Sequence, residues 1–224
     1  MGKIEEKREW SVAIRINHWA MAAAIVVLIV TGFYIADPFT VYQGETTYKM
    51  FMGEVRFWHL IFGIFLLFLV IWRIYLAFFS RFHADWKDFF VWINLKGLVN
   101  QVRFYLLIDK DEPERDERYL YGPTQSLTYL GLLAIILCMV ATGLILMGAG
   151  YHAGLSGFAY KVLRPVENML GGLAMVRYIH HILTWCFVLF IPVHVYMAFW
   201  HDALLKQGTV SSMISGVLFK RVEK

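Results

Sequence analysis

Four apolar runs dominate the chain, at residues 16–36, 57–79, 127–147 and 178–200. At ~1.5 Å per residue, each is long enough to cross a hydrocarbon layer of ~30 Å as one helix. The connection between the second and third runs, residues 80–126, is mixed rather than uniformly polar. Within it, residues 86–107 interleave Phe89, Phe90, Trp92, Ile93, Leu98, Val99 and Phe104 with charges, the pattern of one or two amphipathic helices lying in a membrane interface. Residues 109–118 alternate acidic and basic side chains and read as a solvated turn. A second interfacial helix is expected over 158–170, broken at Pro165. The pattern predicts an all-α membrane protein in which residues 1–224 form a single membrane domain. Its core is a four-transmembrane-helix bundle, with interfacial helices in the loops on both sides.

Composition and charge add an orientation. Hydrophobic residues make up 59% of the 224 and charged residues 17%, the profile of a polytopic membrane protein. Fifteen of the 21 Lys and Arg fall in three places. These are the N-terminal segment (Lys3, Lys7, Arg8, Arg15), the loop after the second run, and the C-terminal tail (Lys206, Lys220, Arg221, Lys224). The positive-inside rule then makes both termini and the 80–126 loop cytoplasmic, with loops 37–55 and 148–176 outside. The first run is too long for the core of a cleaved signal and is expected to be a retained span. Cys138 and Cys186 sit in mid-run without redox or metal spacing and read as small apolar side chains. No nucleophile–base pair, phosphate loop or nucleic-acid motif is present.

Histidines inside apolar runs are the candidate chemistry, because an ionisable group in a span is costly. His180 and His194 are fourteen residues apart on the fourth run. That is close to four helical turns, so both lie on nearly one face, about 21 Å apart along the axis. One metal cannot reach both. Depth pairs them with other spans: His59, at the outer start of the second run, with His180, and His18, at the inner start of the first, with His194. Imidazole pairs without carboxylates or thiolates suit haem iron, and without a Cys-x-x-Cys-His motif the haem would be of the non-covalent b type. Two b haems are therefore expected. Gly63, Gly131 and Gly143 could admit a flat macrocycle against a helix backbone or serve ordinary helix packing. Arg15 and Arg73 inside, and Arg56 and Arg177 outside, could hold haem propionates or anchor the helices at the interface.

A repeat runs through the same elements. Arg56-Phe-Trp-His59 and Tyr75-Leu-Ala-Phe78 match Arg177-Tyr-Ile-His180 and Tyr196-Met-Ala-Phe199 at a constant offset of 121. The first and third spans both end in a Thr-Gly pair, Thr31-Gly32 and Thr142-Gly143. This suggests a duplicated two-helix unit, chemically asymmetric because Arg73 stands where the second copy has His194.

Several motifs resemble the di-haem cytochrome b subunit of membrane-bound nickel-iron hydrogenases, over nearly the whole chain. They are Arg15-Ile-Asn-His18-Trp19, Val30-Thr-Gly-Phe33, Arg56-Phe-Trp-His59, Arg73-Ile-Tyr-Leu-Ala-Phe78 and His194-Val-Tyr-Met-Ala198, together with the outer-loop element Gly44-Glu-Thr-Thr-Tyr48-x-x-Phe-Met-Gly53. The resemblance implies a multi-pass protein of the bacterial cytoplasmic (inner) membrane, with His18, His59, His180 and His194 as axial ligands of two b haems. It implies a periplasmic hydrogenase as partner, its small subunit donating electrons from iron–sulfur clusters beside the large subunit, and a membrane quinone as acceptor. A dimer of such complexes would be compatible with it. On the quinone side the resemblance points to Tyr105; Tyr121 and Gln125 could supply hydrogen bonds to a quinone carbonyl, or Tyr121, like Tyr119, could be an aromatic anchor at the interface. Here the sequence departs from the family, reading Tyr119-Leu-Tyr121-Gly122-Pro123-Thr-Gln125 where the family has a His-Asn-Pro-x-x-Gln pattern. The same scaffold could instead serve a formate dehydrogenase or thiosulfate reductase, or bind haem without transferring electrons.

Overall fold

A computed structural model of the chain describes residues 3–39, 50–79, 86–106, 108, 109, 119 and 121–222. The Gly44–Tyr48 part of the outer-loop element, His83 and residues 110–118 of the charged run lie outside the described residues. In chain order the elements are β1 (Lys3–Arg8), α1 (Val12–Ala36), α2 (Phe51–Phe79), a 3₁₀ helix (Trp86–Ile93), α3 (Leu95–Tyr105), α4 (Pro123–Gly150), α5 (Gly154–Met169), α6 (Leu173–Leu205), α7 (Thr209–Ser215) and β2 (Val217–Val222). Helices α1, α2, α4 and α6 are long and apolar enough to cross a membrane. They leave large apolar side chains uncovered in mid-helix: Val30 and Phe68 are each 63% exposed and Leu189 68%. In water each such side chain would forgo about 1.5–3 kcal/mol of burial, whereas lipid tails solvate it. The chain is a multi-pass membrane protein with a four-helix membrane fold.

Each spanning helix outruns the apolar run that predicted it. Helix α6 has 33 residues, about 50 Å of length. Apolar patterning marks only the stretch that lipid solvates, while a helix continues as long as its backbone bonds stay internal. The overhanging turns of α6 carry Arg177 at one end and His201 and Asp202 at the other, where polar side chains meet their own kind.

The chain divides into two compact units. The first comprises Met1–Asn17, Ile71–Ile135 and Val195–Lys224. In it β1 and β2 pair antiparallel, with Lys3 opposite Val222 and Arg8 opposite Val217. This ribbon adds to the all-helical expectation and holds the two terminal segments together. The Trp10 indole donates to Ser212 Oγ at 3.1 Å, and the Gly216 carbonyl accepts from the Glu9 N–H at 2.9 Å. The amphipathic stretch expected over 86–107 forms the 3₁₀ helix and α3, joined at Asn94. The Asn94 side chain accepts from the Gly97 N–H at 3.1 Å, satisfying a donor that the first turn leaves unpaired. Gln101 of α3 performs that task for α4, accepting from the Thr124 N–H at 2.8 Å, with Pro123 in the first helical position, where its missing N–H is no loss.

The second unit comprises His18–Val70 and Ile136–His194. Here α5 folds close against the end of α4. Ser156 Oγ donates to the Met147 carbonyl at 2.8 Å, and a Cβ on Gly148 would come within 3.0 Å of the Tyr160 backbone nitrogen. Helix α5 runs unbroken through Pro165, which corrects the expected break. Proline removes the bond its own N–H would donate one turn back and crowds the carbonyl there, a cost the helix can absorb when its other face is packed. The packing that buries Ser156, Gly157, Ala159 and Glu167 keeps the helix continuous, and Arg164 and Glu167 pair at 3.5 Å across the proline.

A Cβ at Gly157 would run into the His152 carbonyl, a backbone group that cannot rotate away. Gly157→Ala is expected to lower the thermal midpoint of the detergent-purified protein, at a cost of about 1–3 kcal/mol. Gly150→Ala, whose Cβ meets nothing within 4 Å, should leave it unchanged.

Candidate metal centres

Two imidazole pairs face each other within the second unit. His59 on α2 and His180 on α6 have ring centroids 6.5 Å apart and planes inclined at 69°. His18 on α1 and His194 on α6 are 6.3 Å apart at 52°. Imidazoles that bind one metal from opposite sides, each at ~2 Å with its ring centre ~1.2 Å beyond the nitrogen, have centroids ~6.4 Å apart. Both pairs have this spacing. Among the described residues no three or more His, Cys, Asp or Glu side chains gather as metal ligands, so neither pair completes a structural zinc or calcium shell. The donor set instead fits a metal that brings its own equatorial ligands, as iron in a porphyrin does.

The two pairs are supported differently. Thr31 Oγ lies 2.8 Å from His59 Nδ1, and Thr142 Oγ lies 2.8 Å from His180 Nδ1. The glycine after each threonine lies against the ring, and at Gly32 a side chain would crowd it. A Cβ at Gly32 would sit 3.3 Å from His59 Cε1, and one at Gly143 would sit 3.5 Å from His180 Cε1. The repeated Thr-Gly pair thus has a local task that its sequence reading as a mark of duplication left unassigned. The available signal was its placement in each copy, on the span preceding Arg-x-x-His. In the other pair, His18 Nδ1 is buried with no hydrogen-bond partner, and His194 stacks on Phe190 at 5.3 Å and 15°. His181, next to His180, turns to another face and meets Phe33 edge-on at 5.5 Å.

The remaining candidates fall in several places. Arg73 is 4% exposed and belongs to the first unit. Its Nε donates to Tyr129 Oη at 2.5 Å, its Nη2 to Tyr121 Oη at 3.5 Å, and its guanidinium lies over the Phe89 ring at 5.2 Å. Its Nη1 is buried without a partner. Arg15 donates to the Ile214 carbonyl and keeps a buried, unpartnered Nε. Arg56 and Arg177 are exposed. A Cβ built on Gly63 or Gly131 would meet no protein atom within 4 Å. Tyr105 is half-buried, its ring 5.9 Å from Trp200. Tyr121 is buried, which pushes its hydroxyl above the usual phenol range and keeps it protonated. Gln125 Oε1 accepts from the Gly122 N–H at 3.3 Å, a contact that closes the first turn of α4.

The repeat extends further than the motifs suggested. Thr31 and Thr142 are 111 residues apart, and so are His18 and Tyr129. Exchanging the two copies therefore carries His18 and His194 onto Tyr129 and Arg73, and those two are hydrogen-bonded to each other.

The sequence profile of the prokaryotic cytochrome b561 family matches residues 9–216. The chain belongs to this family. Its cofactor is therefore haem of the b type, the group that the imidazole pairs fit. Similar proteins include the probable Ni/Fe-hydrogenase B-type cytochrome subunits of Azotobacter vinelandii and Rhodobacter capsulatus. The first is 32% identical over 91% of this chain and 84% of the relative, the second 31% identical over 91% and 78%. The probable Ni/Fe-hydrogenase 1 B-type cytochrome subunit of Escherichia coli K12 is 28% identical over 91% and 86%.

Facing pairs predict that ligands are lost pairwise. His18→Ala, His194→Ala and the two combined should each leave one haem per chain, whereas His18→Ala with His59→Ala should leave none. Haem content of the purified protein by pyridine haemochrome reads this directly. One haem in the unsubstituted protein, or one surviving in the His18/His59 variant, would sink the pairing.

Proposed function

We propose that this cytochrome b561 family member is the membrane electron-transfer subunit of a hydrogenase complex in the bacterial cytoplasmic membrane. In this reading it holds two b haems, anchors the enzyme, and connects hydrogen oxidation outside the membrane to quinone reduction near the cytoplasmic face. The observation that carries the reading is the spacing of the two imidazole pairs, 6.5 Å and 6.3 Å between centroids. Bound haem supplies one-electron chemistry, its iron alternating between ferric and ferrous states.

The chain's own contribution is ligation, insulation and order. His59 and His180 are the ligands at the outer level. His18 and His194 are the ligands about 21 Å further along α6, toward the cytoplasmic side. Both pairs lie on apolar spans, which lipid rather than water would surround. The orientation is supported by the clustering of Lys and Arg in the terminal segments and the 80–126 loop. A hydrogenase partner, with an iron–sulfur small subunit as donor beside its large subunit, is supported by the names of the relatives in preference to formate dehydrogenase or thiosulfate reductase. Tyr105, Tyr121 and Gln125 mark the proposed quinone side. Each already holds contacts of its own fold, Tyr121 with Arg73, Gln125 with the Gly122 N–H and half-buried Tyr105 with the Trp200 ring.

The test is His194→Ala in the intact complex. Hydrogen-dependent quinone reduction should be abolished, while hydrogen-dependent reduction of an artificial dye, which takes electrons from the partner itself, survives. Equal loss of both activities would make His194 structural instead.

A further inference from the structure

The two threonine hydroxyls fix which nitrogen of each outer histidine carries the proton. Thr31 Oγ is 2.7 Å from the Val27 carbonyl oxygen, and Thr142 Oγ is 2.7 Å from the Cys138 carbonyl oxygen. Two oxygens at that distance need a proton between them, and a carbonyl has none to give. Each hydroxyl therefore donates its single proton to its own helix, one turn back. What remains on Oγ are acceptor lone pairs, 2.8 Å from His59 Nδ1 and from His180 Nδ1. A nitrogen at hydrogen-bond distance from a pure acceptor must be the protonated one. Both outer imidazoles are thus Nδ1–H tautomers, with the Nε2 lone pair free to bind a metal.

A hydrogen bond from a ligand imidazole's N–H to an acceptor makes the opposite nitrogen a stronger donor and holds the ring's orientation. A stronger axial donor favours ferric over ferrous iron and so lowers the potential. The inner pair lacks this device at His18, whose Nδ1 has no partner. We propose that Thr31 and Thr142 are positioning residues that hold His59 and His180 in the ligating tautomer and depress the potential of the outer haem alone. This rests on the reading of those two histidines as axial ligands of one haem.

The experiment is a redox titration of the two haems, by their reduced-minus-oxidised spectra, in the purified complex carrying Thr31→Val, Thr142→Val, both, or the corresponding serines. Valine keeps the threonine shape and removes the acceptor. One midpoint should move to more positive values in each valine variant and further in the double variant, with the second midpoint unmoved and the serine variants close to the original. Loss of one haem in a valine variant, with retention in its serine counterpart, would support the proposal equally, because only the hydroxyl differs in role. Unmoved midpoints in the valine variants, or serine variants shifted as far as valine ones, would overturn it. His59→Ala, measured for haem content in parallel, separates the two layers. If it keeps both haems, the ligand assignment fails; if it loses one while Thr31→Val is unshifted, only the role of the threonine fails.

Discussion

In a hydrocarbon layer no water is available to take up a hydrogen bond, so every polar group on a spanning helix must find its partner inside the protein. The architecture follows from how this chain meets that demand. Thr31 and Thr142 return their protons to their own helices and offer what is left to an imidazole. Arg73, a full positive charge with 4% exposure, is met by two tyrosine hydroxyls and an aromatic face. Even the helix start at Pro123 is supplied by a side chain of another helix, Gln101. Where the demand is left unmet at Arg73 Nη1 and His18 Nδ1, the unpaired atom belongs to a residue singled out by the sequence pattern.

The same demand explains why so little machinery suffices. In the two-haem reading proposed above, a porphyrin would bring four of six iron ligands and leave the protein to supply two nitrogens at one depth with about 6.4 Å between ring centres. Helix α6 does half of this twice, because fourteen residues return it to nearly the same face. Helices α2 and α1 each contribute one further imidazole. The glycines after the threonines lie directly against the His59 and His180 rings, and a Cβ at Gly32 would already crowd the first of them. The sites are made by helix periodicity and a few small residues, with no dedicated loop among the described residues.

Helix periodicity and hydropathy are regular, and whatever depends on them was legible in the sequence: the four spans, the common face of His180 and His194, and the depth that brings His18 to His194 and His59 to His180. What escaped depends on particular contacts. The β1–β2 ribbon pairs residues about two hundred positions apart, and neither six-residue strand alternates cleanly enough to announce itself. Pro165 reads as a breaker, yet its lost bond and carbonyl crowding fall in a helix that has a buried face of its own. The Thr-Gly pairs were visible as a repeat, but their chemistry depends on a distance between two helices that no periodicity encodes. The contact of Gln125 Oε1 with the Gly122 N–H likewise depends on local geometry that no pattern encodes.

Duplication alone would yield a protein with matching halves. The outer level keeps that match, threonine for threonine and histidine for histidine. The register that carries His18 and His194 onto Tyr129 and Arg73 breaks it, leaving one copy of the inner position with a pair of imidazoles and the other with a fixed cation held by phenols. With the outer pair as the point of electron arrival proposed above, a fully matched protein would present a fork. In that reading this chain would offer a single unbranched path, with the Arg73–Tyr129 contact standing where the second branch would be.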